Sequence, residues 1–250
     1  MELNLQGQQV AVIGCASGIG RAIAEAFLAE GCEVTGFDRL ADAPFITAGD
    51  VADPAALRAF MQGLPRLDHL VYAVGVGSGL TGFPYWNVPA ERWSAVLEIN
   101  LIAAVRAMEL AGPRLAAQGS GSILLISSVA GQIGSPTDPP YSASKAALIN
   151  FMQCAARDLG PHGVRVNALA PGMVDTPLNR RIWAASQQGL PSPQQQSFED
   201  WAGAKIKRIA PLGRWQEASE MAAMACFLAS EHARNITGQT LNIDGGQVMH

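Results

Sequence analysis

Gln9-Val10-Ala11-Val12-Ile13-Gly14-Cys15-Ala16-Ser17-Gly18-Ile19-Gly20 is the stretch that decides the fold. A mostly apolar, β-branched run ends in glycines spaced Gly-x-x-x-Gly-x-Gly, and an Ala-rich helical stretch, 19–30, follows at once. Glycines there permit a tight turn and close backbone approach. The helix start offers free N–H groups and a positive dipole end to a pyrophosphate. A Gly-rich turn holding nothing is the plain alternative, but the place of the loop in a first strand–turn–helix unit favours a dinucleotide. Gly14, Ser17, Gly18, Ile19 and Gly20 are the candidate phosphate-loop residues.

The same alternation continues outward. Residues 33–37, 69–74, 122–126, 164–169 and 239–243 read as further strands, several apolar throughout, as strands covered on both faces should be. Helical patterns at 55–62, 91–115, 141–159 and 217–229 lie between them. Repeated βαβ units predict an α/β fold, a Rossmann-type doubly wound, mainly parallel seven-stranded sheet with helices on both faces. With 250 residues, 49% hydrophobic and 15% charged, a single domain spanning 1–250 is expected. Only 184–200, dense in Gln, Ser and Pro, breaks the rhythm, and it reads either as a solvated loop or as part of a substrate lid at about 177–210.

A net charge of −4 with no basic block excludes nucleic acid as an expected partner, and no leader or membrane-length apolar run is evident. A cytoplasmic protein is expected. Cys15, Cys32, Cys154 and Cys226 are scattered and read as reduced core thiols. His69, His162, His232 and His250 lack ligand spacing, so no catalytic metal is expected.

Asp38 falls at the end of the second strand, about twenty residues past the loop, where a carboxylate accepts hydrogen bonds from ribose hydroxyls. It repels an extra phosphate, which favours NAD over NADP. Arg39 either stacks on adenine or, with Asp38 turned away, binds that phosphate. Further on, Tyr141-Ser142-Ala143-Ser144-Lys145 places a phenol and an ammonium on one face of a helix start. Lys145, helped by a positively charged nicotinamide, would pull the phenol from about 10 toward neutrality and make it a general base. Ser128 ends the strand 122–126 and is placed to hold a substrate oxygen. Asn100 is a lone polar residue in an apolar helical stretch; it either anchors a water that relays protons to Lys145 or simply kinks or caps the helix.

Taken in order, these motifs resemble the short-chain dehydrogenase/reductase family along essentially the whole chain. The resemblance implies a catalytic set of Asn100, Ser128, Tyr141 and Lys145, with Tyr141 as acid/base. It implies adenine contacts from Asp50 and Val51, and a nicotinamide carboxamide held within Pro171-Gly172-Met173-Val174-Asp175-Thr176 by Val174 and Thr176. Asn235-Ile236-Thr237-Gly238-Gln239 and Asp244-Gly245-Gly246 look like the family's last strand and turn. Two departures stand out: Ile13 where a Thr commonly precedes the first glycine, and Tyr72-Ala73-Val74-Gly75 where relatives carry Asn-Asn-Ala-Gly. Ala73 and Gly75 are the expected cofactor-ribose neighbours there, with altered hydrogen bonding beneath the cofactor.

The implied activity is interconversion of a secondary alcohol and a ketone by hydride transfer. Loose resemblance to hydroxy-acid dehydrogenases, with Arg180, Arg181, Lys205, Lys207 and Arg208 flanking the lid, suggests a carboxylate-bearing substrate. Trp183, Trp86 and Phe83 suggest instead an apolar pocket for a cyclic one. An NADP-dependent ketoreductase and a non-catalytic NAD-binding regulator are the alternatives, the latter disfavoured by the complete catalytic set. Family members commonly assemble as homotetramers, and one is expected here.

Overall fold

Along β1 (Gln9–Ile13) every second side chain points the same way, and both sides are buried. Ala11 and Ile13 enter one apolar cluster and Val10 and Val12 the other, so this strand lies at the centre of the molecule. The computed structural model describes residues 1–80, 84–134, 138–188 and 190–249.

Six more strands flank β1: β2 (Glu33–Asp38), β3 (Ile46–Ala48), β4 (His69–Tyr72), β5 (Gly121–Ile126), β6 (Val164–Pro171) and β7 (Thr240–Ile243). They form one sheet in the order β3-β2-β1-β4-β5-β6-β7, and every pairing is parallel. The order reverses between β1 and β4. In open parallel sheets the crevice at such a switch point, beyond the carboxyl ends of the strands, is where ligands bind.

One face of the sheet is covered by α1 (Gly18–Ala29), through Ile23, Ala24 and Phe27, and by α8 (Ala218–Ala229). The other is covered by α2 (Pro54–Gly63), α4 (Ala103–Gln118) and α5 (Pro139–Leu159). Buried Ala103, Ala104, Ala107 and Ala111 on α4 let that helix approach closely.

The structure corrects several expectations. The third strand, β3, was not legible: only three residues long, it pairs with β2 from Gly36↔Ile46 onward. The span 91–115 is not one regular helix, since α3 (Ala90–Leu97) joins α4 through a π turn at Glu98–Ile102. Tyr72 donates its hydroxyl to the Ile99 carbonyl in that turn at 2.6 Å, and Asn100 sits in the same turn. Within 184–200, residues 184–187 end α6 (Pro177–Gln187), Ser192–Gln194 form a short 3-10 turn and residues 198–200 begin α7 (Phe198–Ile209), with irregular backbone among the other described residues. Cys15, Cys32 and Cys226 are buried free thiols, but Cys154 is exposed because its position on α5 faces away from the sheet. Among the described residues no helix is long and apolar enough to cross a membrane.

His69 lies inside the sheet, its Nδ1 2.8 Å from Ser122 Oγ and its Nε2 against Gln8. Burial pushes its imidazole down from 6.5 to about 4. Between those values the unfolded chain binds a proton there that the native chain refuses, so stability falls as pH drops from 6.5 to 4. In His69→Gln, which hydrogen-bonds but does not titrate, the fall in Tm across that window should be smaller than in the wild type; an unchanged pH dependence contradicts this reading.

Candidate active site

The phosphate loop is built by exclusion of side chains. Gly14 takes φ +89°, a left-handed conformation, and a Cβ on Gly20 would stand 1.9 Å from the Gly14 carbonyl oxygen. Only glycine lets α1 begin this close to the end of β1. Ser17 occupies the N-cap of α1 but places no side-chain oxygen on its N–H groups, and no acidic residue lies in the first turn. No acidic side chain of α1 itself occupies its positive end, which suits a pyrophosphate. Asp38, at the end of β2, accepts from Ala16 N at 2.9 Å and Leu40 N at 3.3 Å, so its carboxylate is fixed beside the loop.

The reaction centre comes from β4, β5 and α5. Asp138 caps α5 and Pro139 and Pro140 occupy its first positions, where no N–H donor is required, so Tyr141 is carried at a sharply defined helix start. Ser128, just past β5, stands near enough to the Tyr141 phenol to favour its ionised form. Its own Oγ also accepts from Ala130 N at 3.1 Å. Lys145 is 2% exposed, with Nζ donating to the Ile126 carbonyl at 2.7 Å and the Val74 carbonyl at 3.4 Å. Nζ lies 5.7 Å from the centre of the Tyr141 ring. Gly131 makes this packing feasible, because a Cβ there would stand 2.6 Å from the Lys145 backbone carbon. Ser127 Oγ donates to the Lys145 carbonyl at 3.0 Å and ties β5 to α5.

In the chain by itself the phenol does not move toward neutrality. Burial pushes Tyr141 up to about 12, opposed by the nearby Ser128 hydroxyl and reinforced by the Asp138 charge. Burial also pushes Lys145 down to about 7, so near neutral pH its charge is partly lost.

A cavity of about 460 Å³ unites the phosphate loop and the reaction centre. Its wall includes every residue expected to hold the cofactor: Gly14, Ser17, Gly18, Ile19, Gly20, Asp38, Arg39, Asp50, Val51, Ala73, Gly75, Tyr141, Lys145, Pro171, Gly172, Val174 and Thr176. Ser128 lines it too. Asn100 does not. It is fully buried, with Oδ1 accepting from Val76 N at 2.8 Å and Nδ2 donating to the Val76 carbonyl and Ser144 Oγ, each at 2.9 Å. Its amide therefore clamps the loop after β4 onto α5 and does not touch Lys145. The Val174 carbonyl is taken by Asn179 Nδ2 at 2.7 Å.

Arg181, Lys205 and Arg208 reach the wall, whereas Arg180 pairs with Asp175 and Lys207 is exposed. Neither tryptophan singled out for the pocket reaches it: Trp183 packs on Phe198 and Trp86 is 70% exposed. Phe83 lies outside the described residues. Among the described residues no group of three or more His, Cys, Asp or Glu side chains converges to hold a metal ion. Sequence reading passed over Asp138, which is buried, accepts from Ser78 N at 2.8 Å and from Tyr141 N, and lines the cavity. The Asp-Pro-Pro ahead of Tyr141 was the available sign.

Comparison with known proteins agrees with this geometry. A family model described as enoyl-(acyl carrier protein) reductase, one of the short-chain dehydrogenase/reductase models, matches residues 14–248. This chain belongs to the short-chain dehydrogenase/reductase family. It is 33% identical to the 2-dehydro-3-deoxy-L-rhamnonate dehydrogenase (NAD(+)) of Sphingomonas sp. (strain SKA58), across 96% of this chain and 95% of that one. A solved aldohexose dehydrogenase of Thermoplasma acidophilum superimposes with a TM-score of 0.87 at 28% identity, covering 99% of this chain and 96% of the other. A Beutenbergia cavernae protein assigned as an NAD(P) dependent gluconate 5-dehydrogenase, solved with bound NADP, gives 0.85 at 32% identity and 99% of each chain. The short-chain dehydrogenase/reductase described here is an oxidoreductase of hydroxyl and keto substrates, in a family that binds a nicotinamide cofactor.

Asp138→Asn should keep the helix cap and the Ser78 contact while removing a negative charge that raises the Tyr141 phenol. The pH at half-maximal alcohol oxidation is expected to move downward, with little change in Tm. An upward or absent shift would show that the carboxylate does not act on Tyr141.

Proposed function

We propose that this chain is an NAD-dependent dehydrogenase that interconverts a secondary alcohol and a ketone, with Tyr141 as its acid/base. The presence of Ser128, Tyr141 and Lys145 on the same cavity wall as the phosphate loop carries the reading, because it brings polar groups able to hold a substrate oxygen into the space suited to a dinucleotide. When bound, the nicotinamide accepts or supplies the hydride and brings a positive ring into the site. Ser128 and Tyr141 grip the substrate oxygen, and Tyr141 takes its proton during oxidation and returns it during reduction. Lys145, kept out of water against the Ile126 carbonyl, lies beneath the phenol and favours phenolate while it is charged. Asn100 and Ser127 act as positioning residues, holding the loop after β4 and the strand β5 against α5.

On this reading Gly14, Ser17, Gly18, Ile19 and Gly20 cradle the pyrophosphate, Asp38 receives the adenosine ribose with Arg39 beside it, and Asp50 and Val51 face adenine. Ala73 and Gly75 flank the second ribose, and Pro171, Gly172, Val174 and Thr176 border the nicotinamide. We read residues 1–250 as a single domain with a substrate lid at about 177–210, a span that contains α6 and α7. Homotetrameric assembly and a cytoplasmic location complete the proposal, supported by the family resemblance and composition.

Tyr141→Phe should lower kcat by about 10³-fold while NADH binding, followed by fluorescence titration, stays nearly intact. Undiminished turnover would remove Tyr141 from the chemistry. The fixed Asp38 carboxylate leads to a kcat/KM for NAD roughly 100-fold above that for NADP, narrowing in Asp38→Ala. Preference for NADP in the wild type would favour the Arg39 alternative, for which the NADP-bound neighbour is a precedent.

A further inference from the structure

The cavity carries an uneven charge distribution that hydride transfer does not use. Its acidic wall residues are Asp38 and Asp50 on the β1–β2–β3 side, with Arg39 between them in sequence, and Asp138 at the start of α5. On the far side, beyond β6, α7 contributes two cations, Lys205 and Arg208. Ile206 of the same helix and Ala210 just past its end pack on Met173, which places that helix against the 171–176 segment.

Neither cation makes an ion pair or hydrogen bond with another described residue. Arg214, Arg180 and Arg21, by contrast, all have carboxylate partners. Three residues apart on one helical face, Lys205 and Arg208 repel each other, a cost set against the contact of the Lys205 ammonium with the Trp201 ring and the dipole at the helix end, and no carboxylate among the described residues neutralises either. Lys205 is moreover half-buried, its Nζ 4.9 Å from the Trp201 ring, and burial together with Arg208 lowers its ammonium below the usual lysine value. Cations in the last turn are favourable to the helix dipole, and that accounts for exposed Lys207 and in part for Arg208. It does not account for Lys205, which lies before that turn.

From this arrangement we propose that Lys205, assisted by Arg208, receives an oxyanion carried by the substrate, a carboxylate or a phosphate ester, at the end of the molecule remote from the reacting carbon. Resting on the dehydrogenase reading above, it names the substrate class of that site: hydroxy or keto compounds bearing an acid group. A bound oxyanion relieves the Lys205–Arg208 repulsion and replaces the water Lys205 has lost. The remote contact orients the carbinol toward Ser128 and Tyr141. Arg181, on α6, lines the same cavity.

Two measurements on the cofactor-loaded enzyme test this. In the first, NAD-linked oxidation is compared across short polyhydroxy carboxylates, their primary amides and sugar phosphates of equal length. The expected result is a preference for one anionic class, the two classes distinguishing carboxylate from phosphate, with the anionic-to-amide ratio of kcat/KM falling roughly 100-fold in Lys205→Met and recovering in Lys205→Arg. In the second, calorimetric titration of the NADH-loaded enzyme with malonate and with inorganic phosphate should show binding of at least one that Lys205→Met loses, while the Kd for NADH stays within a few fold. Equal turnover of amides and acids, anion binding unaffected by Lys205→Met, or a large loss of NADH affinity in that variant would overturn the proposal, the last by showing that the cations hold cofactor phosphates. Absence of turnover on every class, with the calorimetric result as expected, would instead fault the dehydrogenase reading and leave the anion site standing.

Discussion

Burial of the Lys145 ammonium under the carboxyl ends of β4 and β5 is the constraint on which the rest of the site depends. A charged amine 2% exposed is costly, and here it is compensated by two carbonyls, Ile126 at the end of β5 and Val74 just past β4. Those carbonyls are free to accept because parallel strands end there and pass into loops. The position of Lys145 on α5 then dictates that of Tyr141 one turn earlier, and the Asp138 cap with two prolines fixes where that turn begins. Gly131, Ser127 and Asn100 serve the same junction: one removes a side chain, one bonds the Lys145 carbonyl, and one clamps the Val76 loop to Ser144.

This burial leaves the free chain electrostatically unready. Tyr141 sits at about 12 and Lys145 at about 7, each displaced toward its neutral form by loss of water. A phenol that high is a poor base near neutrality. The positive ring of a nicotinamide completes the ionisation of the site on the proposed reading, and the family binds such a cofactor. On the proposed reading, the unpaired Lys205 and Arg208 on α7 are a second positive region awaiting a partner, this one on the substrate side.

Legibility in the sequence followed the length and purity of each local signal. The glycine loop, the strand-end Asp38 and the Tyr141/Lys145 pair were readable because backbone approach, charge and helical spacing each demand particular residue types, and all of them reach one cavity wall. β3 was lost because three residues are too few to show a period and its existence depends on pairing with β2. The Gln-rich 184–200 stretch concealed the start of α7, although Ser197 is a side-chain N-cap and Glu199 and Asp200 occupy the first turn. Spacing leaves Asn100 as either the anchor of a water relay or a helix kink or cap, and the structure adds that it is buried in a π turn with its amide bonded to Val76 and Ser144, contacts that the sequence does not reveal. Tyr72, standing where relatives carry Asn, reaches back to the Ile99 carbonyl in that turn, a long-range bond that spacing along the chain does not reveal.

The central claim, that Tyr141 is a half-buried phenol made basic by charge supplied at the site, is tested most directly by spectrophotometric titration of its phenolate. The difference between wild type and Tyr141→Phe, with and without NAD, isolates this one group. The account predicts titration near 12 in the free protein, a clear fall on saturation with NAD, and a smaller fall when Lys145 is replaced by Met. A phenol that already titrates near neutrality in the free protein, or one that NAD leaves unmoved, would contradict it.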